Sequence, residues 1–397
     1  MNAVAQNPHV ATALRWDWIV VKEISTLSKK HYFDRHDFEV KPDSHFSLKK
    51  WSTKASKDGL SKDMAIDALA EDVSALEDAQ SRLYASDKNS LLVILQGMDA
   101  SGKDGAIRHV MSGVNPLGCR AYPFKAPNET ELKHHFLWRP TAYLPERGMI
   151  SIFNRSYYEE VLVVRVHPEF LKPQRLTQLK DFKPKSLEKL WKQRYREINA
   201  FERALVNNGT LVVKFYLHLS RDEQKQRLID RVRQSENNWK FNPRDIQERE
   251  HWSEYTVAFE EAVGATSTEW APWYVIPADD KWYARAAIAD IIAAKLEKLD
   301  LQYPVVEIQQ LALYEQLAAQ LEAEPHKSDK KRDKSSKAAP NSRAEQLDCK
   351  SSTGPGKTRK EARNKADKSV RGDSNDTEGS DDRSDDRSKE DTVRPES

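Results

Sequence analysis

An α/β fold, a doubly wound parallel sheet with helices on both faces, is what this 397-residue sequence predicts. Three observations predict it. Short apolar runs recur at residues 91–95 (LLVIL), 149–153 (MISIF), within 210–220 (TLVVKFYLHLS) and at 273–276 (WYVI), and nearly continuous apolar runs are the mark of strands buried on both faces. Helical patterns separate these runs, and that alternation argues for a parallel sheet. The first run ends in GMDASGKDG, a glycine-rich turn that passes straight into a helix beginning at about Lys103.

That turn is the most informative stretch. Residues 97–103 fit GxxxxGK, with Gly97, Asp99, Ala100, Ser101, Gly102 and Lys103, and Asp104 and Gly105 follow. Glycines let backbone N–H groups converge on phosphate oxygens, the helix dipole adds positive charge, and Lys103 reaches the transferring group. Asp104 stands where a Ser or Thr would normally bind magnesium. The plainer alternative is a glycine turn after a core strand.

Composition sets the bounds. Sixty-four Lys plus Arg face 62 Asp plus Glu, so a basic site must come from local clustering. Cys119 and Cys349 lie far apart without metal-ligand spacing, which predicts a reduced, cytoplasmic setting without a disulfide framework. No run of 18 apolar residues predicts a membrane span, and the N-terminal residues lack a signal-peptide pattern.

In chain order, residues 1–85 read as an N-terminal extension and an amphipathic helix. Ile66, Leu69, Val73, Leu76 and Leu83 form the helix's apolar stripe, and Trp16, Trp18, Tyr32 and Phe33 are available to dock the extension on a neighbouring surface or subunit. A core at 86–305 follows. After the phosphate loop, a short apolar piece at 121–124 ends at Lys125-Ala126-Pro127, so Lys125 either faces the phosphates or is a solvated surface lysine. ETELKHHFLWRP reads as one helix ended by Pro140. Its adjacent His134 and His135 point to different faces, which speaks against a shared metal.

MISIF then ends in Asn154-Arg155-Ser156. In open parallel sheets the carboxyl ends of the strands line the ligand crevice, so these residues and the phosphate loop are expected to face one site. Arg155 can hold a phosphoryl group with its planar donor fork, or it is a capping or salt-bridged arginine. Asn154 stands where phosphoryl-transfer loop proteins usually have an acid, with Glu159 and Glu160 close behind, so metal duty moves toward Asp99. A long helix at 186–207 is expected to bury Leu187, Leu190, Trp191, Ile198 and Phe201. Residues from about 221 to 262 then suggest a helical lid that brings Arg231, Arg233, Lys240 and Arg244 near the phosphates on closing, against the alternative of a solvated helical hairpin. The strand at 273–276 and a closing helix complete the core; 306–324 is a C-terminal helix. The charged tail, 325–397, has almost no apolar residue to offset its ordering entropy and is expected to be disordered.

With GMDASGKDG, FNRSYYEEVLVVRVHP, NNWKFNPRDIQEREHW and TSTEWAPWYVIPADDKWYARAA in this order, the chain resembles the family-2 polyphosphate kinases over roughly residues 30 to 300. The resemblance implies a thymidylate-kinase-like P-loop fold that moves phosphoryl groups between inorganic polyphosphate and nucleotides (AMP, ADP, ATP) with Mg2+ or Mn2+. It assigns the P-loop to residues 97–103 with Asp99 as the essential acid, the second motif to Asn154 and Arg155, and the lid to the segment around Lys240. Many members carry Asp where this chain has Asn154. The FNRSYYEE form is similar to the branch that accepts nucleoside mono- and diphosphates. A homo-oligomer is implied; neither a membrane nor nucleic acid is expected as a partner.

A polyphosphate chain carries roughly one charge per phosphate, so a track of Arg and Lys would neutralise it with counterion release, as on nucleic-acid backbones. Lys103 and Arg155 are then expected to stabilise transition-state charge, Asp99 to place metal or acceptor, and the lid cations to hold the donor. Two rivals share these features: a nucleoside monophosphate kinase using ATP, and a non-catalytic polyphosphate- or nucleic-acid-binding protein.

Overall fold

The computed structural model describes residues 32–42, 44–55 and 60–324. Trp16, Trp18 and the charged tail lie outside the described residues. Two compact units divide the chain, Met1–Gln316 and Leu317–Ser397.

In the first unit, α1 (Lys62–Ser86) starts at Ser61, whose hydroxyl caps Met64 N. It leads to β1 (Ser90–Gln96), which is buried along its whole length. Then come α2 (Lys103–Val110), β2 (Cys119–Pro123), two single-turn helices, α3 (Glu129–Leu132) and α4 (Trp138–Thr141), and β3 (Ile150–Asn154). A 3-10 turn (Tyr157–Glu160) and α5 (Val163–Val166) precede the long α6 (Pro184–Asn207) and β4 (Thr210–His218). α7 (Arg221–Arg233), α8 (Arg244–Glu248), α9 (Trp252–Thr266), β5 (Trp273–Pro277) and α10 (Lys281–Glu297) complete the core. The last helix, α11 (Ile308–Glu322), has no buried residue.

All five strands are parallel, in the order β2-β3-β1-β4-β5. Parallel neighbours require crossover helices, and these cover both faces. Leu91, Val93 and Leu95 point into a core shared with α1, α2 and α10; Leu92 and Ile94 point into the other, with α6 and α9. On the outer side of β5, Val40 N donates to Trp273 O (2.9 Å) and Val275 N to Phe38 O (2.8 Å), so the N-terminal segment blunts that sheet edge.

Two expectations change. In α1 Ile66 is 50% exposed while Ala65, Ala68, Asp72, Leu76, Gln80 and Leu83 are buried. In its first half the stripe runs one residue earlier, through Ala65, Ala68 and Asp72, where α1 packs along the alanine-rich face of α10 and small side chains let the two axes approach, whereas Leu76 and Leu83 are buried as expected. Residues 129–140 do not form one helix. Asn128 and Glu131 close a capping box around α3, the chain turns, and Pro140 sits inside α4 at a first-turn position that needs no N–H donor. Phe33 docks on the neighbouring surface of its own chain, packing edge-to-face on Phe38 and Tyr283 (5.9 and 5.3 Å).

Candidate phosphoryl-transfer site

β1 delivers the P-loop to the carboxyl edge of the sheet. Only glycine fits at Gly97, because a Cβ there would lie 2.8 Å from Ser101 Oγ and 2.9 Å from Leu217 O. Gly102, at φ +105°, caps α2 in the left-handed region, and Ala100 shares that region at φ +62°. The buried Lys103 folds back over the loop, its Nζ donating to Gly97 O (2.7 Å), Met98 O (3.1 Å) and Ser101 Oγ (3.3 Å). Burial, with Arg155 nearby, pulls its pKa down to about 8, against Asp99, Glu159 and Asp104.

β3 brings the second motif alongside, in register with β1, Leu95 opposite Asn154. Asn154 Nδ2 donates to Asp104 Oδ1 (2.6 Å), so the amide that replaces the usual acid supplies a donor to the carboxylate that replaces the usual hydroxyl. Arg155, at φ +63°, pairs through Nη2 with Asp99 and through Nη1 with Glu159 (3.1 Å). Glu159 and Asp99 together hold its pKa well above the ordinary arginine value despite burial. With its amide oriented to satisfy both ends, Gln96 donates to Glu159 Oε1 (3.0 Å) and accepts from Ser156 N (3.2 Å).

Two cavities open here, and Arg155 and Glu159 line both. One, of about 30 Å³, sits over Gly97, Met98 and Asp99. The other, of about 440 Å³, runs toward β2 between Phe124, Phe136, Phe170 and Val164, with Lys125, Arg139 and Gln174 on its wall. Arg139 lies over the Phe124 ring (4.9 Å), and its Nη1 donates to Glu131 (3.2 Å) and Lys125 O (2.8 Å). The structure thus puts Lys125 on this larger cavity, whereas Asp99, Lys103, Asn154, Arg155 and Glu159 converge at the loop.

The lid cations are arranged differently. Arg231 pairs with Asp245 of α8 (3.1 Å). Lys240 stands over Trp239 (5.1 Å) beside the exposed Arg244, and Arg233 lines a groove with Leu228, Phe241 and Ile246. Asp245 itself feels Asp99: burial and that like charge raise its pKa, opposed by Arg231 and Arg155.

Sequence reasoning missed the side of the loop toward β5. Arg227 Nη1 donates to Ala100 O and Ser101 O (both 3.1 Å) and its Nη2 to Ala278 O (2.6 Å) and Asp279 O (2.8 Å). Arg285 comes within 3.6 Å of a Cβ built on Gly105. Burial lowers the pKa of Lys281 and Arg285, and so do their cationic neighbours: Arg227 and Arg285 for Lys281, Arg108 and Arg227 for Arg285. Glu223, paired with Arg227 (2.8 Å), and Asp230 offset only part of this charge at Lys281, and the cations left in excess mark a place for an anion. The signal was present in DDKWYARAA, which sets Lys281 and Arg285 one turn apart just past a strand's carboxyl end.

A divalent cation fits this donor set. Among the described residues no three His, Cys, Asp or Glu side chains form a metal cage. Magnesium needs none, since it keeps several waters and binds one or two carboxylates together with substrate phosphates. Asp99 is a hard oxygen donor at the loop, and an ion there would relieve the repulsion it exerts on Asp245. No helix among the described residues is long and apolar enough to cross a membrane.

Residues 59–304 match the family model described as polyphosphate kinase 2. The chain is 47% identical over 267 residues to an ADP-polyphosphate phosphotransferase of Rhodopseudomonas palustris, covering 67% of this chain and 91% of that protein. It is 44% identical over 273 residues to an AMP/ADP-polyphosphate phosphotransferase of Meiothermus ruber, covering 68% and 96%. The crystal structure of polyphosphate kinase 2 from Arthrobacter aurescens TC1 superposes with a TM-score of 0.63 at 36% identity, over 70% of this chain and 95% of that one.

Proposed function

This chain belongs to the polyphosphate kinase 2 family, and we propose that it transfers a phosphoryl group from inorganic polyphosphate to AMP and to ADP, as a cytoplasmic homo-oligomer. One observation carries the reading: an aromatic-walled cavity of about 440 Å³ and the P-loop cavity share Arg155 and Glu159. The larger cavity has the size and apolar lining of a small-molecule site. A nucleotide base fits among Phe124, Phe136 and Phe170, which places its phosphate toward Arg155.

In-line displacement puts the donor on the opposite side of the transferred phosphorus. That side belongs to Lys103, Arg227, Lys281 and Arg285, with the lid cations Arg231, Arg233, Lys240 and Arg244 above. In the reaction an acceptor phosphate oxygen bonds to the terminal phosphorus of the chain. The bridging P–O bond breaks, and its electron pair leaves with the shortened polyphosphate. Lys103 exchanges its loop carbonyls for donor oxygens, Arg155 steadies the charge on the moving group, and Glu159 and Asp99 orient Arg155. Asp99 would hold Mg2+ or Mn2+, which when bound supplies charge neutralisation between donor and acceptor oxygens.

The test is chromatography of products from purified protein with AMP or ADP, magnesium and polyphosphate, without ATP. ADP and then ATP formed from AMP is the expected result. ATP from ADP alone would confine the enzyme to diphosphates. No product with polyphosphate, but ADP from AMP plus ATP, would make it an ordinary nucleoside monophosphate kinase.

A further inference from the structure

Beneath the second motif, on the face of the sheet covered by α6 and α9, two charged side chains meet with no exposure at all. Lys214 of β4 donates through Nζ to Glu202 Oε2 of α6 (2.6 Å), to Thr266 O (2.7 Å) and to the Tyr158 hydroxyl (3.1 Å). Glu202 Oε1 accepts from both Tyr157 OH (2.9 Å) and Tyr158 OH (2.8 Å). Stability does not explain the arrangement, because a buried ion pair is seldom better than apolar residues of the same volume. What a carboxylate offers that a leucine does not is an oxygen able to take two hydroxyls at once.

Those hydroxyls belong to the two residues that follow Arg155-Ser156. Arg155 is a non-glycine residue in the left-handed region, and such a conformation persists only where its surroundings over-determine it. Upstream, Arg155 N is tied to Leu95 O of β1 (3.1 Å). Downstream, Ser156 Oγ takes Tyr158 N (3.2 Å), and both tyrosine rings run down to Glu202. The same turn carries Glu159, which holds the Arg155 guanidinium.

We propose that the Lys214–Glu202 pair, acting through the Tyr157 and Tyr158 hydroxyls, is a positioning device that fixes the Arg155 turn, and with it the Arg155–Glu159 pair, at the mouth of the P-loop. This rests on the reading that Arg155 steadies the transferred phosphoryl group. Lys214, Glu202 and Tyr158 line neither cavity, and although the Tyr157 ring borders the larger one, its hydroxyl is turned to Glu202; all four are positioning residues.

The test is a double-mutant cycle on kcat. Replacing both tyrosines, Tyr157→Phe with Tyr158→Phe, removes two oxygens and leaves the rings in place. It is expected to lower kcat about tenfold, the scale on which a misplaced catalytic group acts. KM for AMP and for polyphosphate should stay within about twofold, and in an Arg155→Lys background the same pair of changes should lower kcat by less than about twofold, the limit of ordinary additivity. Equal losses in both backgrounds, or an unchanged kcat, would overturn the proposal. Should the pair fail to fold by calorimetry, Tyr157→Phe alone goes through the same cycle, since it leaves Tyr158 bonded to Glu202 and Lys214. A wild-type protein inactive with polyphosphate would sink the proposed function, whereas an active wild type with additive losses would sink only the positioning role.

Discussion

The two sides of the P-loop are built from different chemistry. Toward β2 the site is a cavity walled by Phe124, Phe136 and Phe170, whose Arg139 is engaged by Glu131 and a backbone carbonyl and whose Arg155 is paired with Glu159 and Asp99. Toward β5 it is a gathering of Arg108, Arg227, Lys281 and Arg285 with pKa values depressed by burial and by each other at Lys281 and Arg285. A neutralised aromatic wall suits one ring and rejects a long polyanion; crowded cations do the reverse. Under the proposed function, this asymmetry lets donor and acceptor be told apart by charge balance before any specific contact is made.

The largest expected effect erases the boundary between the two sides. Lys103→Ala should lower kcat/KM by on the order of a hundredfold or more for donor and acceptor alike, as removal of a charge-stabilising group does. A loss confined to one substrate would show that Lys103 belongs to one side only. Next, Lys281→Gln with Arg285→Gln should raise KM for polyphosphate about tenfold and flatten its salt dependence by about two counterions, leaving KM for AMP unchanged. A rise in the AMP KM would break the assignment of sides. Phe136→Ala should act in the opposite sense, raising KM for AMP about fivefold through lost stacking and apolar contact while the polyphosphate KM holds.

The smallest effect is in pH. With Lys103 titrating near 8 in the free protein, kcat/KM for polyphosphate should fall as pH rises through 8, while KM for the nucleotide stays level. Stability runs the other way. The folded pKa lies below the ordinary lysine value of 10.5, so the unfolded chain binds more protons between those values and stability rises with pH from about 8 to 10.5. Thermal denaturation at pH 7.5 and 9.5 measures it.

The parts of this architecture that rest on one local pattern were legible in the sequence. β1, β3, β4 and β5 are near-continuous apolar runs, and the glycines of the P-loop are dictated by backbone geometry at their own positions. Asn154 and Arg155 could be placed because a strand's carboxyl end fixes where its next residues stand. What could not be read depends on partners far away in the chain. Glu202 and Lys214 look like surface charges on a helix and a strand until α6 and β4 are packed, when they become a pair with no exposure. Ile66 outranks Ala65 on any apolar scale, yet the alanine is inside because it lies on the stripe that meets α10. Arg227 was one cation among many until its guanidinium met the carbonyls of Ala100 and Ser101.

That guanidinium has a thermodynamic consequence. By gathering two carbonyls of the P-loop and two from the end of β5, Arg227 turns the loop's oxygens inward and away from the donor. The loop backbone is therefore held in place before a polyanion arrives, so its association orders little backbone. Titration calorimetry of donor binding should show a favourable entropy dominated by released salt ions, with a heat-capacity change too small for a loop that folds around its ligand.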